Sequence, residues 1–134
     1  MAITDQQRAD LIERALAARQ SAYAPYSQYA VGAALLTDSG RLYTGANVEN
    51  AAYPLSICAE RVAVFNAVTS GDRQLTAIVV ATDNGGSPCG SCRQVLAEFG
   101  LETEVFMVDR VGSVVHQMTV AELLPAAFRP SDLA

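Results

Sequence analysis

The sequence predicts an α/β fold: a five-stranded mixed sheet, mostly parallel, with helices on both faces. Three observations carry this expectation. Strand-like and helix-like runs alternate along the second half of the chain, the pattern of sheets whose strands are joined by helical crossovers. The run "LTAIVVATD", residues 75–83, is almost wholly apolar and rich in β-branched residues, as befits a strand covered on both faces. Upstream, "AVGAALLTDSGRLYTGANVE", residues 30–49, reads as two strands around the loop Asp38-Ser39-Gly40. Such a hairpin adds an antiparallel edge.

Each element has its own local signal. Thr4 and Gln7 form a capping box, which opens a first helix predicted to reach about Ser21. Leu11, Ile12, Ala15 and Leu16 recur at helical spacing along it, so one face is buried. Pro25 in "APYSQY" breaks the pattern before the hairpin. A second helix is predicted from about Cys58 to Val68, with Gly71 near its end. After the strand at 75–83 and the loop "NGGSP", Pro88 leads into a third helix, "CGSCRQVLAEFG", closed by Gly100. "TEVFMVD" and "SVVHQ" supply the fourth and fifth strands. Thr119 with Glu122 makes a second capping box, and its short helix stops at Pro125. There is no internal repeat and no linker, so residues 1–134 read as a single domain.

Composition narrows the chemistry. The net charge is −5 and every basic residue other than His116 is an arginine. A chain without lysine offers no Schiff-base amine, and an acidic one lacks the basic face of a nucleic-acid binder. No apolar run approaches the ~20 residues that cross a bilayer, and the N-terminus lacks the basic-then-apolar order of a secretion signal. The predicted compartment is the cytoplasm. Three cysteines, two of them in "CGSC", favour a metal or catalytic role over a disulfide framework in that compartment.

Cys58, Cys89 and Cys92 all fall at predicted helix starts. In a parallel α/β sheet those starts gather at the carboxyl edge of the strands, where ligands bind, so two helices can aim three sulfurs at one place. Helix N-termini also favour the thiolate that a metal needs. A "CxxC" alone is compatible with a redox motif or a structural zinc half-site. The joint pattern of Cys58-Ala59-Glu60-Arg61 and Pro88-Cys89-Gly90-Ser91-Cys92 uses every cysteine in the chain. Three protein ligands leave the fourth position of a tetrahedral zinc open to water, as in catalytic sites. Glu60, close to Cys58 without needing to ligate, is placed to move protons. Arg61, one turn after Cys58, can donate to the sulfurs and offset their negative charge.

With those residues in view, the sequence resembles the small homotetrameric zinc-dependent cytidine deaminases of nucleoside salvage. The resemblance runs from about Ala22 to Leu133. It is carried by "YAPYS", "VGAALLT", "GANVENAAY", "CAER", "PCGSCRQV", "MTVAELLP" and the closing "AF..SDL". It implies a three-layer sandwich and one Zn²⁺ per subunit, held by Cys58, Cys89 and Cys92. It implies Glu60 as proton shuttle and Arg61 as charge-balancing neighbour of the sulfurs. Asn47 and Glu49 then hold ribose hydroxyls, and Ala59 borders the substrate. Tyr29 covers the pyrimidine at a position more usually Phe, and its added hydroxyl must find a partner. Phe128 matches an aromatic lent to a neighbouring subunit's pocket, and Tyr26 and Tyr53 match positions near subunit contacts. The implied partners are a nucleoside and further copies of the chain in a homotetramer with shared active sites, with no nucleic acid and no membrane.

The implied reaction is hydrolytic deamination of cytidine and deoxycytidine to uridine and deoxyuridine with release of ammonia. Blasticidin-type aminonucleoside deaminases share the three-cysteine site, but Asn47-Val48-Glu49-Asn50 suits a ribose site better. Editing deaminases of nucleic acid need a basic channel that this chain lacks. A zinc-stabilised binding module without turnover needs a fourth protein ligand, for which the sequence offers only the nitrogen of His116. In "SVVHQM" that histidine reads as an exposed or core-edge residue of a short strand.

Overall fold

A central strand fixes the arrangement of the rest. β1 (Gly32–Thr37) is buried along its whole length and pairs on one side with β2 (Leu42–Ala46) and on the other with β3 (Leu75–Ala81). The computed structural model describes residues 2–133. Among them the sheet has five strands in the order β2-β1-β3-β4-β5, where β4 is Glu104–Val108 and β5 is Val114–Thr119.

The sheet is mixed but mostly antiparallel, which corrects the expectation from the sequence. β1 runs antiparallel to both its neighbours, β4 and β5 form an antiparallel hairpin, and β3–β4 is the one parallel pair. The physical reason lies in what alternation of strand and helix constrains. A helical crossover fixes that the strands it joins run the same way, but not that they are hydrogen-bonded neighbours. β2, β3 and β4 do share one direction, yet β1 lies between β2 and β3 and opposes both. A tight turn closed by Asp109 joins β4 to β5, its Oδ1 accepting from the amides of Val111 and Ser113. No crossover is possible there.

Helices cover both faces, as predicted. α1 (Asp5–Arg19) begins at the Thr4–Gln7 capping box and ends two residues before the predicted Ser21. It lays Leu11 and Ala15 against Ala34, Val79 and Phe106 on one face of the sheet. α2 (Ala59–Thr69), α3 (Gly90–Phe99) and the single-turn α4 (Val120–Leu123) lie on the other. Their Val64, Leu96 and Val120 pack with Leu35, Ile78 and Val105. These positions are fully buried, and truncating a large one to alanine costs about 2–5 kcal/mol. The result is a three-layer sandwich whose rigid middle layer orients the starts of α2 and α3.

Candidate metal centre

Because β2 and β3 run in the same direction, the helices that follow them begin at the same edge of the sheet. Cys58 caps the N-terminus of α2 and Cys89 that of α3, both in extended backbone, and Cys92 sits in the first turn of α3. α2 starts close against β2 because residue 45 is glycine. A Cβ there would stand 2.6 Å from the Ala59 carbonyl oxygen and from the Ala63 amide, distances no side chain tolerates. Gly45 thus sets the height of Cys58 above the sheet.

The three sulfurs lie within 4.8 Å of one another, with Cys58–Cys89 at 3.8 Å and Cys89–Cys92 at 3.4 Å. Zn–S bonds of about 2.3 Å at tetrahedral angles place sulfurs about 3.8 Å apart. The trio therefore fits three corners of a thiolate metal site, and it can coordinate a metal ion. Hydrogen bonding from Cys92 lowers the Cys58 thiol to about 5, with Arg61 and Cys89 adding to the shift and burial opposing it. Cys92 is pushed the other way by its contact with Cys58 and by burial. These contacts favour the deprotonated form of Cys58, the form that a metal ligand needs.

Arg61 Nη2 lies 3.5 Å from Cys58 Sγ, and its Nε is buried without a hydrogen-bond partner among the described residues. Glu60 is 4 % exposed. Burial raises its carboxyl above the ordinary carboxylate range against a hydrogen bond from its own backbone, and the Cys58 charge adds to the rise. A carboxyl so placed takes up and releases a proton nearer neutrality than an exposed one does.

A cavity of about 490 Å³ opens over this group. Asn47, Glu49, Tyr29 and Ala59 all line it, together with Glu60, Cys58 and Cys89. Asn47 and Glu49 lie just beyond the end of β2, and each is anchored by the chain before β1. Asn47 accepts from the Val31 amide and donates to the Tyr29 carbonyl. Glu49 Oε1 accepts from the amides of Tyr26 and Ser27, and Oε2 accepts from the Ser27 hydroxyl. Those bonds hold the Glu49 carboxyl below its usual value, the Ser27 hydroxyl contributing most. An amide and a carboxylate keep hydrogen-bonding capacity beyond these contacts.

Phe128 does not line this cavity and stands exposed near the C-terminus, its carbonyl accepting from Gln94. Tyr26 and Tyr53 meet edge to face, with centroids 5.8 Å apart, and both are exposed. His116 is an exposed residue of edge strand β5, outside the thiol group. Ser27, Asn84 and Gly86 were not singled out by the sequence, although Ser27 falls within the quoted "YAPYS".

Residues 5–108 match the cytidine and deoxycytidylate deaminase zinc-binding region. The chain belongs to this deaminase family. A cytidine deaminase of Sporosarcina psychrophila is 46% identical over 126 residues, spanning 92% of this chain and 93% of its own. One from Halalkalibacterium halodurans is 47% identical, spanning 92% and 95%. The crystal structure of the Burkholderia pseudomallei cytidine deaminase superposes with a TM-score of 0.86 at 45% identity, covering 94% of this chain and 100% of that one. Family membership and the thiol geometry agree: the deaminase match spans both helix starts that carry the sulfurs. Among the described residues no helix is long and apolar enough to cross a membrane.

Proposed function

We infer that the protein is a zinc-dependent cytidine deaminase, hydrolysing cytidine and deoxycytidine to uridine and deoxyuridine with release of ammonia. The observation that carries this reading is the buried carboxyl of Glu60 beside three convergent thiols, two of which, Cys58 and Cys89, line the same cavity as Glu60. The donor set suits zinc, and no fourth protein ligand joins it among the described residues. A zinc ion held by Cys58, Cys89 and Cys92 supplies an activated water at neutral pH.

The chain's own residues do the rest. Glu60 accepts a proton from water and delivers it to ring nitrogen 3 of the pyrimidine, which makes carbon 4 open to attack. It then passes a proton to the departing amine. Arg61 offsets the negative charge of the thiolates, with its Nη2 on Cys58 as the support for that role. Asn47 and Glu49 hold the sugar hydroxyls, Tyr29 covers the base, and Ala59 closes the floor of the cavity. Enclosure of a reactant among fixed groups supplies much of the acceleration.

The working form is a homotetramer of single-domain subunits in the cytoplasm, each with one zinc ion and each lending Phe128 to a neighbour's cavity. Support for this comes from the exposed rings of Phe128, Tyr26 and Tyr53, the last at the cavity rim. Light scattering on an eluting column tests the assembly, and a monomeric mass refutes it. The activity is tested by following the ultraviolet band of cytidine with zinc-loaded protein, with blasticidin S in parallel. Rapid loss of the cytidine band supports the reading. Loss of blasticidin S alone replaces it with the aminonucleoside reaction, and no turnover of either leaves the thiols a structural site.

A further inference from the structure

Tyr29 is held at more points than a ring that merely covers a ligand requires. Its amide donates to the Ser27 hydroxyl at 3.0 Å, and its carbonyl accepts from Asn47 Nδ2 at 2.9 Å. Its hydroxyl donates to Asn84 Oδ1 at 2.8 Å, across 55 positions of sequence. Asn84 belongs to the loop between β3 and α3, the segment that ends at Cys89. Within that loop the buried Thr82 hydroxyl accepts from the Gly86 amide at 2.8 Å and lies 3.4 Å from the same Asn84 oxygen. Among the described residues the phenol is therefore the one side chain that bonds the segment before β1 to this network.

Residue 86 is shaped to receive it. A Cβ built on Gly86 overlaps the Tyr29 hydroxyl oxygen, whereas the next nearest atoms, Asn84 Oδ1 and Tyr29 Cζ, stand at 3.4 and 3.6 Å. The obstacle to a Cβ at 86, and so to alanine, is thus the hydroxyl. Tyr29, Thr82, Gly86, Ser87 and Cys89 all line the cavity, so the hydroxyl lies where two walls of the cavity meet.

We propose that Tyr29 and Gly86 are a size-matched pair which, through the hydroxyl bond to Asn84, ties the base-covering ring to the loop that carries Cys89. Tyr29 is then a positioning and specificity-determining residue of the nucleoside site, its hydroxyl setting the separation of the two walls. The pairing deepens the deaminase reading and rests on it. Without the tether the loop and the ring move independently, and substrate binding loses a preorganised wall. The effect falls on KM rather than on the proton transfers at Glu60.

The test is a set of variants assayed with cytidine, each checked for zinc content and thermal midpoint. Y29F and N84A are each expected to raise KM roughly fivefold, the size of one lost hydrogen bond. Y29F/N84A should do no more than either alone, because both remove the same bond. G86A is expected to raise KM further, and Y29F/G86A to return to the value of Y29F. A G86A chain that fails to fold but is recovered by Y29F gives the same support. The pairing is overturned if Y29F and N84A leave KM unchanged, if their effects multiply, or if Y29F gives G86A no relief. Should the parent protein leave cytidine intact, the deaminase reading is what fails. Relief of the G86A thermal midpoint by Y29F still decides the pairing in that case.

Discussion

Arg61 Nη2 approaches Cys58 Sγ to 3.5 Å across one turn of α2, while Nε of the same guanidinium is buried without a partner among the described residues. An unpaired buried donor is costly, and it is tolerated where strong negative charge is gathered beside it. Three thiolates on a divalent metal would leave one excess negative charge, which in the proposed function this cation offsets. Arg61→Ala is expected to weaken metal affinity roughly 10–100-fold, as loss of such supporting contacts does. Arg61→Lys should recover only part of it, since an ammonium cannot reproduce the planar fork. Competition with a zinc-chelating dye measures both. Unchanged affinity in the alanine variant removes Arg61 from the site.

Glu60→Gln separates the proton from the scaffold. The amide matches the carboxyl in shape and removes a group whose charged form burial penalises, so fold and zinc content should persist. Turnover should drop roughly 10²–10⁴-fold, the usual contribution of a positioned acid–base group. Loss of the cytidine absorbance at saturating substrate is the measurement, with zinc counted in the same samples. Near-parental kcat in a zinc-replete variant rules out the shuttle.

Through its hydroxyl, Ser27 donates to Glu49 and also accepts from the Tyr29 amide. Replacing it with alanine leaves the carboxylate with two backbone donors and a free oxygen. If Glu49 holds the sugar as proposed, KM for cytidine should then rise several-fold with little change in kcat, because the bond orients Glu49 and takes no part in proton transfer. A fall in kcat with KM unchanged would place Ser27 in the chemistry instead.

How much of this was legible in the sequence depends on the range of each interaction. The capping boxes at Thr4–Gln7 and Thr119–Glu122 span three residues, and both form as read. Strand pairing is different. Alternation led to the expectation of a mostly parallel sheet, but it fixes only that β2, β3 and β4 share a direction, and nothing local reveals that β1 inserts between β2 and β3. The meeting of the three thiols does not depend on that error, because it needs only co-directional strands. Both helix starts then reach one edge, and the three sulfurs meet. Asn84 and Gly86 could not be read at all, since their meaning lies in a hydroxyl 55 positions away. The one sequence clue was the polar tip of Tyr29, which had to find a partner somewhere.

A last prediction concerns acid. Asp72, just beyond α2, gathers the β1–β2 hairpin by accepting at Oδ2 from Tyr43 at 2.7 Å, Ser39 at 2.9 Å and Thr37 at 3.1 Å. The Tyr43 bond contributes most to lowering its carboxyl below the ordinary aspartate value of 3.8, with Ser39 next. A carboxyl whose value is lower in the folded than in the unfolded chain stabilises fully above the unfolded value. That stabilisation is lost as pH falls from about 3.8 through the lower folded value, because the unfolded chain takes up the proton first. Asp72→Asn should therefore lower the thermal midpoint by a few degrees at pH 7, and the gap to the parent should narrow as pH falls below that value. Midpoints of both proteins followed by circular dichroism from pH 7 to acid decide it. A gap that stays constant across that range shows that the charge of Asp72 does not hold the hairpin.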